Sequence, residues 1–280
     1  MTSCTTAAQD EPVPFHYRSI FISDAHLGFR GCQAARLLDF LRHVSSDQLY
    51  LVGDIVDGWR LQKNWFWPQA HAEVLERLLA RAEAGTRVVY LPGNHDEALR
   101  KLIGRSVGQI EVVHEIVHET ADGRRLLVIH GDVYDTVVRE MRWLARLGSI
   151  AYDTSLTLNN LQNTVRRELG LGYWSLSGYL KDRVKTAVRF IERFETALAA
   201  EARRRRLCGV VCGHVHRPEM RTIGDVLYLN IGDWVENCSA LVEHMDGRLE
   251  LVDWARRRSM VLPPVEVPLA PVPQEEAAAA

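Results

Sequence analysis

Five short apolar runs, each followed at once by polar residues, dominate the hydrophobic pattern of this 280-residue chain. They cover residues 19–22, 49–52, 88–91, 126–129 and 208–212. Runs of this length, rich in β-branched and aliphatic residues, predict strands buried on both faces of a sheet. Helical spacing of apolar residues fills 33–44 and 70–84, between the first three runs. This alternation predicts right-handed βαβ units and therefore an α/β fold.

The polar residues that end these runs are of types that bind metal ions. In chain order they are Asp24, His26, Asp54, Asn94, His130, His214 and His216. Because open α/β sheets bind ligands at the carboxyl ends of their strands, we expect these side chains to converge on one edge. Any one of them alone is more often structural, but five runs that deliver such residues to one edge are hard to obtain by chance.

Seven oxygen and imidazole ligands are too many for one tetrahedral metal site. They suit two metal ions that share a carboxylate, and their mixed chemistry favours Mn, Fe or Zn over Mg or Ca. Two such ions, roughly 3.5–4 Å apart, can bind a phosphoryl group and activate a water molecule for in-line attack. The sequence therefore predicts a two-metal phosphohydrolase.

Five motifs together resemble those of the calcineurin-like metallophosphoesterases, over about residues 17–255. They are Asp24-x-His26, Gly53-Asp54-x-x-Asp57, Gly93-Asn94-His95-Asp96, His130 and Gly213-His214-x-His216. The resemblance implies a sandwich of two mixed β-sheets flanked by helices. It further implies that one metal is held by Asp24, His26 and His216, and the other by Asn94, His130 and His214, with Asp54 as the bridge.

The same resemblance gives catalytic roles to His95 and Asp57. The histidine at the position of His95 is the general acid near the leaving group, and the aspartate at the position of Asp57 orients it. General chemistry agrees, since a histidine hydrogen-bonded to a carboxylate is held in one tautomer and stays protonated near neutral pH.

Within this family the chain is most similar to the UDP-2,3-diacylglucosamine diphosphatases, which have a helical insertion for acyl chains and typically use Mn. This implies cleavage of a UDP-sugar lipid of the lipid A pathway into a sugar-lipid 1-phosphate and UMP. Those enzymes carry Gly-Asn-Arg-Asp, whereas this chain has His95 in place of the arginine. A sister group that cleaves another phosphodiester, nucleic acid included, is therefore the alternative.

Residues 135–206 break the alternation of strands and helices and predict a helical cap inserted into a core of 17–134 and 207–255. The segment holds 14 basic and 8 acidic residues, a net charge of +6, which leaves −8 for the rest of the chain. Basic residues that repeat along one side of a helix are, for any single such row, explained by a solvated helical face. A cap over a phosphate site also favours substrate binding or contact with an acidic lipid surface. Its candidate substrate-binding residues are Arg139, Lys181 and Lys185.

Three of the seven tryptophans lie in residues 58–68, next to the predicted metals. Such clusters more often pack a loop onto the protein, but they also form apolar walls for a base or an acyl group. Trp59 is the candidate for that substrate-binding role.

Charge and composition narrow the function further. The balance of 34 basic and 36 acidic residues excludes an overall polycationic nucleic-acid binder. Five unpatterned cysteines predict reduced thiols, and no apolar stretch reaches the length of a membrane span. We expect a flexible N-terminus at 1–16, a disordered tail at 262–280 and a cytoplasmic protein, with peripheral contact at the inner membrane face as an open alternative.

Three hypotheses follow from the sequence. The leading one is a two-metal hydrolase of a nucleotide-linked or lipid-linked pyrophosphate. The second is a phosphodiesterase or nuclease, which only the basic cap supports. The third is a non-catalytic scaffold on the same fold, and the presence of every ligand together with His95 and Asp57 argues against it.

Overall fold

The computed structural model describes residues 15–134, 176–256 and 258–261, and the side chains of 15–134 and 188–256. The chain divides into two compact units, Met1–His130 with Ala202–Ala280, and Gly131–Glu201. The predicted tail, most of the predicted flexible N-terminus and Arg139 lie outside the described residues. The predicted domain limits stay predictions.

The described part of the first unit is built around two mixed β-sheets. The eight-stranded sheet has the order β13-β12-β11-β1-β2-β3-β5-β4, and the five-stranded sheet has the order β6-β7-β8-β10-β9. The strands are β1 Phe15–Ile22, β2 Val44–Val52, β3 Arg87–Leu91, β4 Arg105–Val107, β5 Ile110–Val112, β6 Glu115–Glu119, β7 Arg125–Ile129, β8 Gly209–Cys212, β9 Glu219–Ile223, β10 Val226–Asn230, β11 Ser239–Glu243, β12 Leu249–Asp253 and β13 Arg258–Val261. The predicted α/β fold with two mixed sheets is confirmed.

Helices connect the first three strands, as the sequence predicts. They are α1 Ala34–His43, α2 Gly58–Lys63 and α3 Gln69–Glu83, with a 3-10 helix at Glu97–Leu102. β1, β2 and β3 pair in parallel in that order, because α1 and α3 return the chain to the same end of the sheet each time. The carboxyl ends of these strands therefore lie side by side.

Two apolar clusters make up the core of this unit. The first packs the buried faces of α1 and α3 onto the larger sheet and includes Leu37, Leu41 and Leu78. The second contains residues of both sheets, among them Phe21 of β1 and Val128 of β7, so it fills the space between them. Strands such as β3 and β8 are consequently buried on both faces, which explains why their sequences are continuous apolar runs.

The second unit contains most of α4, Leu176–Arg204, and a 3-10 helix at Asp132–Tyr134. In the described side chains of α4, Phe194 and Leu198 are buried while Arg189 and Arg193 are exposed. The predicted helical spacing is confirmed over this range, and these two arginines do lie on a solvated face. Lys181 and Lys185 lie where the side chains are not described. Of the helices in the described ranges, none combines the length and apolarity needed to cross a membrane.

Candidate metal centre

The five predicted loops meet at the carboxyl ends of β1, β2, β3, β7 and β8. Backbone hydrogen bonds join them to one another: the Asp24 N–H donates to the Gly53 carbonyl at 3.0 Å, and the His26 N–H donates to the Asp54 carbonyl at 2.9 Å. The His214 N–H donates to Asp24 Oδ2 at 2.8 Å and so ties the smaller sheet to the larger one. The fold therefore brings loops from distant parts of the chain into one site.

Left-handed backbone conformations concentrate at this site. The φ angles of Asp24, His26, Asp54, His214 and His216 lie between 51° and 68°. Among the described residues other than glycine, only Arg206 and Cys238 share this feature. Each such conformation costs about 1–3 kcal/mol and persists only where surrounding contacts impose it, which is typical of functional sites.

Two glycines of the motifs are required by close packing. A Cβ atom on Gly93 would overlap with Asp54 Oδ1 and would lie 2.7 Å from His130 Nε2. A Cβ atom on Gly213 would overlap with Ser23 Oγ and Asp24 Oδ2. The glycines therefore let the backbone pass directly behind the metal-binding side chains.

The first candidate metal group consists of Asp24, His26 and His216. The Nε2 atoms of His26 and His216 are 3.3 Å apart, and Asp24 Oδ1 lies 2.9 Å from His216 Nε2 and 3.7 Å from His26 Nε2. Two nitrogens bound to one ion at about 2.1 Å in tetrahedral geometry are roughly 3.4 Å apart. The spacing of these atoms thus fits ligands of one ion.

The second candidate group consists of Asp54, His130 and His214. Asp54 Oδ2 lies 3.5 Å from His130 Nε2 and 3.9 Å from His26 Nε2, so one carboxylate oxygen faces both groups. Asp54 Oδ1 accepts a hydrogen bond from the His95 N–H at 2.7 Å. This position is the one that a bridging ligand needs.

Asn94 supplies an independent test of whether a metal ion fits. Its side-chain oxygen Oδ1 is buried, and it accepts no hydrogen bond from the part of the chain that the structure describes. Buried polar atoms are nearly always paired, so an orphaned acceptor signals a missing partner. The donor set of carboxylate, amide oxygen and imidazole suits a divalent cation as that partner.

Imidazole tautomers are set by hydrogen bonds on the far side of each ring. His130 Nδ1 donates to the Val52 carbonyl at 2.9 Å, and His26 Nδ1 lies 3.3 Å from Asp57 Oδ2. In both rings the Nε2 atom consequently faces the site. Such outer hydrogen bonds orient metal-binding histidines generally.

The electrostatics of the site match this geometry. Burial acts to raise the pKa of Asp24 and of Asp54, but the imidazoles around them outweigh burial and hold both pKa values below the usual range. Burial acts to lower the pKa of His26, yet its hydrogen bonds to Asp24 and Asp57 raise it to about 9. A metal ion must therefore displace a proton from this cluster in order to bind.

His95 and Asp57 lie together at the edge of the centre. His95 Nδ1 is 3.0 Å from Asp57 Oδ1, and His95 Nε2 is 4.0 Å from Asp54 Oδ2. Burial acts to raise the pKa of Asp57, but hydrogen bonds with His26 and His95 hold it below its usual range. One ionised carboxylate thus contacts both a candidate metal ligand and the candidate acid.

Trp59 of α2 packs against His95. The two ring centroids are 4.4 Å apart at an interplanar angle of 38°, and the indole N–H donates to Glu97 Oε1 at 3.1 Å. Of the other aromatic residues in this segment, Trp65 is 74% exposed, while Trp67 packs against the core. The predicted Trp59 is therefore next to the site, and its binding of substrate stays a prediction, as do the roles of Arg139, Lys181 and Lys185.

Sequence reasoning missed contacts from the loop between β10 and β11. The side chains of Asn230 and Asp233 both accept hydrogen bonds from backbone N–H groups within this loop. The loop also reaches the site, because the Trp234 N–H donates to the Asp24 carbonyl at 3.1 Å and Asn237 Nδ2 donates to the His216 carbonyl at 3.0 Å. No motif marks Asn237 in the sequence.

Comparison with known proteins identifies the family of this chain. The family model described as calcineurin-like phosphoesterase matches residues 17–218. A UDP-2,3-diacylglucosamine hydrolase of Pectobacterium atrosepticum is 32% identical over 122 residues, which is 42% of this chain and 49% of that protein. This match thus spans about half of that relative. A UDP-2,3-diacylglucosamine hydrolase of Xanthomonas campestris is 26% identical over 82% of this chain and 96% of its own.

Solved structures are similar at lower identity. The phosphoesterase YfcE of E. coli has 15% identity and a TM-score of 0.45, over 87% of this chain and 96% of its own. Vacuolar protein sorting 29 of Cryptosporidium parvum has 11% identity and a TM-score of 0.44, over 88% and 96%. The family match, together with the two sheets and the ligand groups at their edge, leads to one conclusion. This chain belongs to the calcineurin-like phosphoesterase family.

Proposed function

We propose that this chain is a metal-dependent phosphohydrolase that cleaves the pyrophosphate of UDP-2,3-diacylglucosamine, or of a close analogue, into a sugar-lipid 1-phosphate and UMP. The observation that carries the reaction type is the position of Asp54 Oδ2 between the imidazoles of His26 and His130. The names of the two relatives support the choice of substrate.

Seven residues would hold two divalent ions, which we propose to be Mn, with Fe or Zn as alternatives. Asp24, His26 and His216 would bind one ion, Asn94, His130 and His214 the other, and Asp54 both. When bound, two such ions supply Lewis-acid stabilisation of the phosphoryl oxygens and an activated water molecule.

His95 is the proposed proton donor to the leaving group. Its Nδ1 atom faces the Asp57 carboxylate, so Nε2 is the atom that points towards Asp54 and the substrate. Its side chain is 15% exposed, which leaves it within reach of a bound phosphoester. Asp57 would hold the ring in this orientation.

His95 is also the observation that favours a second candidate function. UDP-2,3-diacylglucosamine diphosphatases have an arginine at this position, so an enzyme of a sister group would cleave a different phosphodiester, nucleic acid included. For either function we propose a cytoplasmic protein, with segment 135–206 as the part that would contact an acidic lipid surface through its charge of +6.

The test is hydrolysis by the Mn-loaded protein across four substrates: UDP-2,3-diacylglucosamine, a soluble UDP-sugar, an aryl phosphodiester and single-stranded DNA. The inactive control is Asp54→Ala. A strong preference for the acylated substrate supports the lipid function, whereas cleavage of the aryl ester alone rejects it and keeps the hydrolase. Cleavage of DNA with steep salt dependence supports the second function, because nucleic-acid binding releases counterions.

A further inference from the structure

The loop from residue 231 to 238 joins β10 to β11 and carries no role in the reaction described above. Its central residues Asp233 and Trp234 are fully buried. Turns that bury a carboxylate are unusual, since an ionised group must regain in the protein the hydrogen bonds that it loses from water. The contacts of Asp233 show where those bonds come from.

Asp233 is saturated by donors from its own loop. Its Oδ1 atom accepts hydrogen bonds from the Val235 N–H at 2.7 Å and the Glu236 N–H at 2.6 Å. Its Oδ2 atom accepts one from Asn237 Nδ2. The carboxylate therefore fixes both the path of the loop and the orientation of the Asn237 amide.

The Asn237 amide has two N–H donors, and its second contact is with the metal centre. Asn237 Nδ2 donates to the His216 carbonyl at 3.0 Å. His216 has a φ of 53°, a strained conformation that its surroundings must maintain. Its side chain is 21% exposed, compared with 5% for His26, so packing holds His216 less firmly than it holds the other histidine of that group.

The same loop also holds the carboxylate of this group. The Trp234 N–H donates to the Asp24 carbonyl at 3.1 Å, and Trp234 is fully buried. Two of the three candidate ligands of the first metal therefore depend on neighbouring residues of one loop. The second group has a different anchor, because Asn230, the last residue of β10, donates from Nδ2 to the Gly213 carbonyl at 2.9 Å, one residue before His214.

We propose that Asn237, oriented by Asp233, is a positioning residue that holds the His216 backbone and so sets the affinity for the first metal ion. The hydrogen bond acts on the main chain of His216, and it fixes where the imidazole meets Asp24 and His26. This inference rests on the two-metal centre proposed above, but not on the identity of the substrate.

The test is calorimetric titration of the metal-free full chain with Mn²⁺ alone. Asn237→Ala is expected to weaken one of two binding events by about 10–100-fold, the usual effect of removing a contact that orients a ligand. The other event is expected to change little. His216→Ala identifies the event that belongs to the first metal, and Glu236→Ala, an exposed side chain of the same loop, is the matched control.

A second variant separates positioning from loop stability. Asn237→Ser keeps a polar side chain in the loop but is too short to reach the His216 carbonyl, and it is expected to weaken the same event. The urea midpoint of each metal-free variant is measured in parallel. If both Mn²⁺-binding events weaken equally and the urea midpoint falls, Asn237 has a merely structural role and the inference is overturned. Unchanged Mn²⁺ affinities would also overturn it. A wild-type chain that binds fewer than two Mn²⁺ ions would instead reject the two-metal centre itself.

Discussion

Each carboxylate in the centre divides its two oxygens between a structural and a metal-facing role. In Asp24, Oδ2 accepts the His214 N–H while Oδ1 faces the imidazole of His216. In Asp54, Oδ1 accepts the His95 N–H while Oδ2 faces His130. The arrangement fixes the carboxylate planes, so that Asp24 Oδ1 and Asp54 Oδ2 are directed at the centre before any ion binds.

Asp54→Ala is expected to hold fewer than two metal ions per chain, because the substitution removes the oxygen that faces both candidate groups. Metal content after desalting, measured by mass spectrometry, checks this. Asp246→Ala changes an exposed aspartate and provides the control. If Asp54→Ala keeps two ions per chain, Asp54 is not the bridge.

His95→Ala is expected to lower turnover by about 10²–10⁴-fold, the usual contribution of a general acid, with no loss of metal. Steady-state rates on the best substrate of the panel, together with metal content, test the prediction. His114→Ala removes an exposed imidazole and should leave the rate unchanged. Wild-type turnover in His95→Ala would contradict the role of His95 as the acid.

The identity of the candidate ligands could be read from the sequence, but the way they are held could not. Asp, Asn and His directly after apolar runs can be recognised in the sequence itself, because the residue composition changes from apolar to polar where a strand ends. The left-handed φ angles of Asp24 and His216 and the contact of Asn237 depend on loops that meet only in the folded chain. Local patterns carry no information about such pairings.

At the scale of elements, the loops of the centre pack so closely that the glycine at position 93 leaves no room for a methyl side chain. Gly93→Ala would place a methyl group against Asp54 and 2.7 Å from His130 Nε2. We expect metal affinity to fall by about 10–100-fold, as for other changes around metal ligands.

The control for this prediction is Gly108→Ala, at a φ of +60° with open space around it. That change costs about 1 kcal/mol of backbone strain without touching the centre. Titration with Mn²⁺ compares the two variants. Equal Mn²⁺ affinities in the two variants would mean that the loops at Gly93 can move apart without loss of metal binding.

The long elements follow from the sequence, whereas several short ones do not. Helical spacing predicts α1 and α3 to within a residue or two of their ends. The six-residue α2 was not predicted, since it buries no residue and therefore has no apolar pattern. It is instead capped by Asp57, whose Oδ1 accepts the Arg60 N–H at 3.0 Å. The exposed three-residue strand β4 likewise has no apolar pattern and forms only because β5 lies beside it.

At the scale of the whole first unit, a buried polar network joins the two sheets. Its hub is Glu243 of β11, whose Oε2 atom lies 2.9 Å from His118 Nε2 of β6 and accepts a hydrogen bond from Ser19 Oγ at 2.8 Å. Arg18 donates to Oε1 at 2.8 Å. Burial acts to raise the pKa of Glu243, but the hydrogen bonds from His118, Ser19 and the Ala121 N–H lower it below its usual value.

Glu243→Gln is expected to lower the free energy of unfolding by about 1–3 kcal/mol at neutral pH, because buried donors lose their charged acceptor. A carboxyl with a lowered folded-state pKa stabilises the protein above its unfolded pKa, and this contribution is lost as the pH falls through the folded pKa. The difference between variant and wild type should therefore shrink as the pH drops below about 4.5.

Urea unfolding of the metal-free proteins at several pH values measures this difference. Glu119→Gln, an exposed position nearby on β6, is the control and should leave stability unchanged within about 0.5 kcal/mol. A difference between Glu243→Gln and wild type that stays constant down to low pH would mean that the charge of Glu243 does not stabilise the contact between the sheets.

The candidate ligands come from both sheets and extend from Asp24 to His216, so an unfolded or partly made chain cannot gather them. Free metal ions then bind the native state alone, and mass action shifts the folding equilibrium by about 2.7 kcal/mol per site at a concentration 100 times Kd. Scarcity of the ion would therefore do more than slow the reaction. It would enlarge the unfolded fraction that proteases degrade, and so link the abundance of this enzyme to the metal supply of the cell.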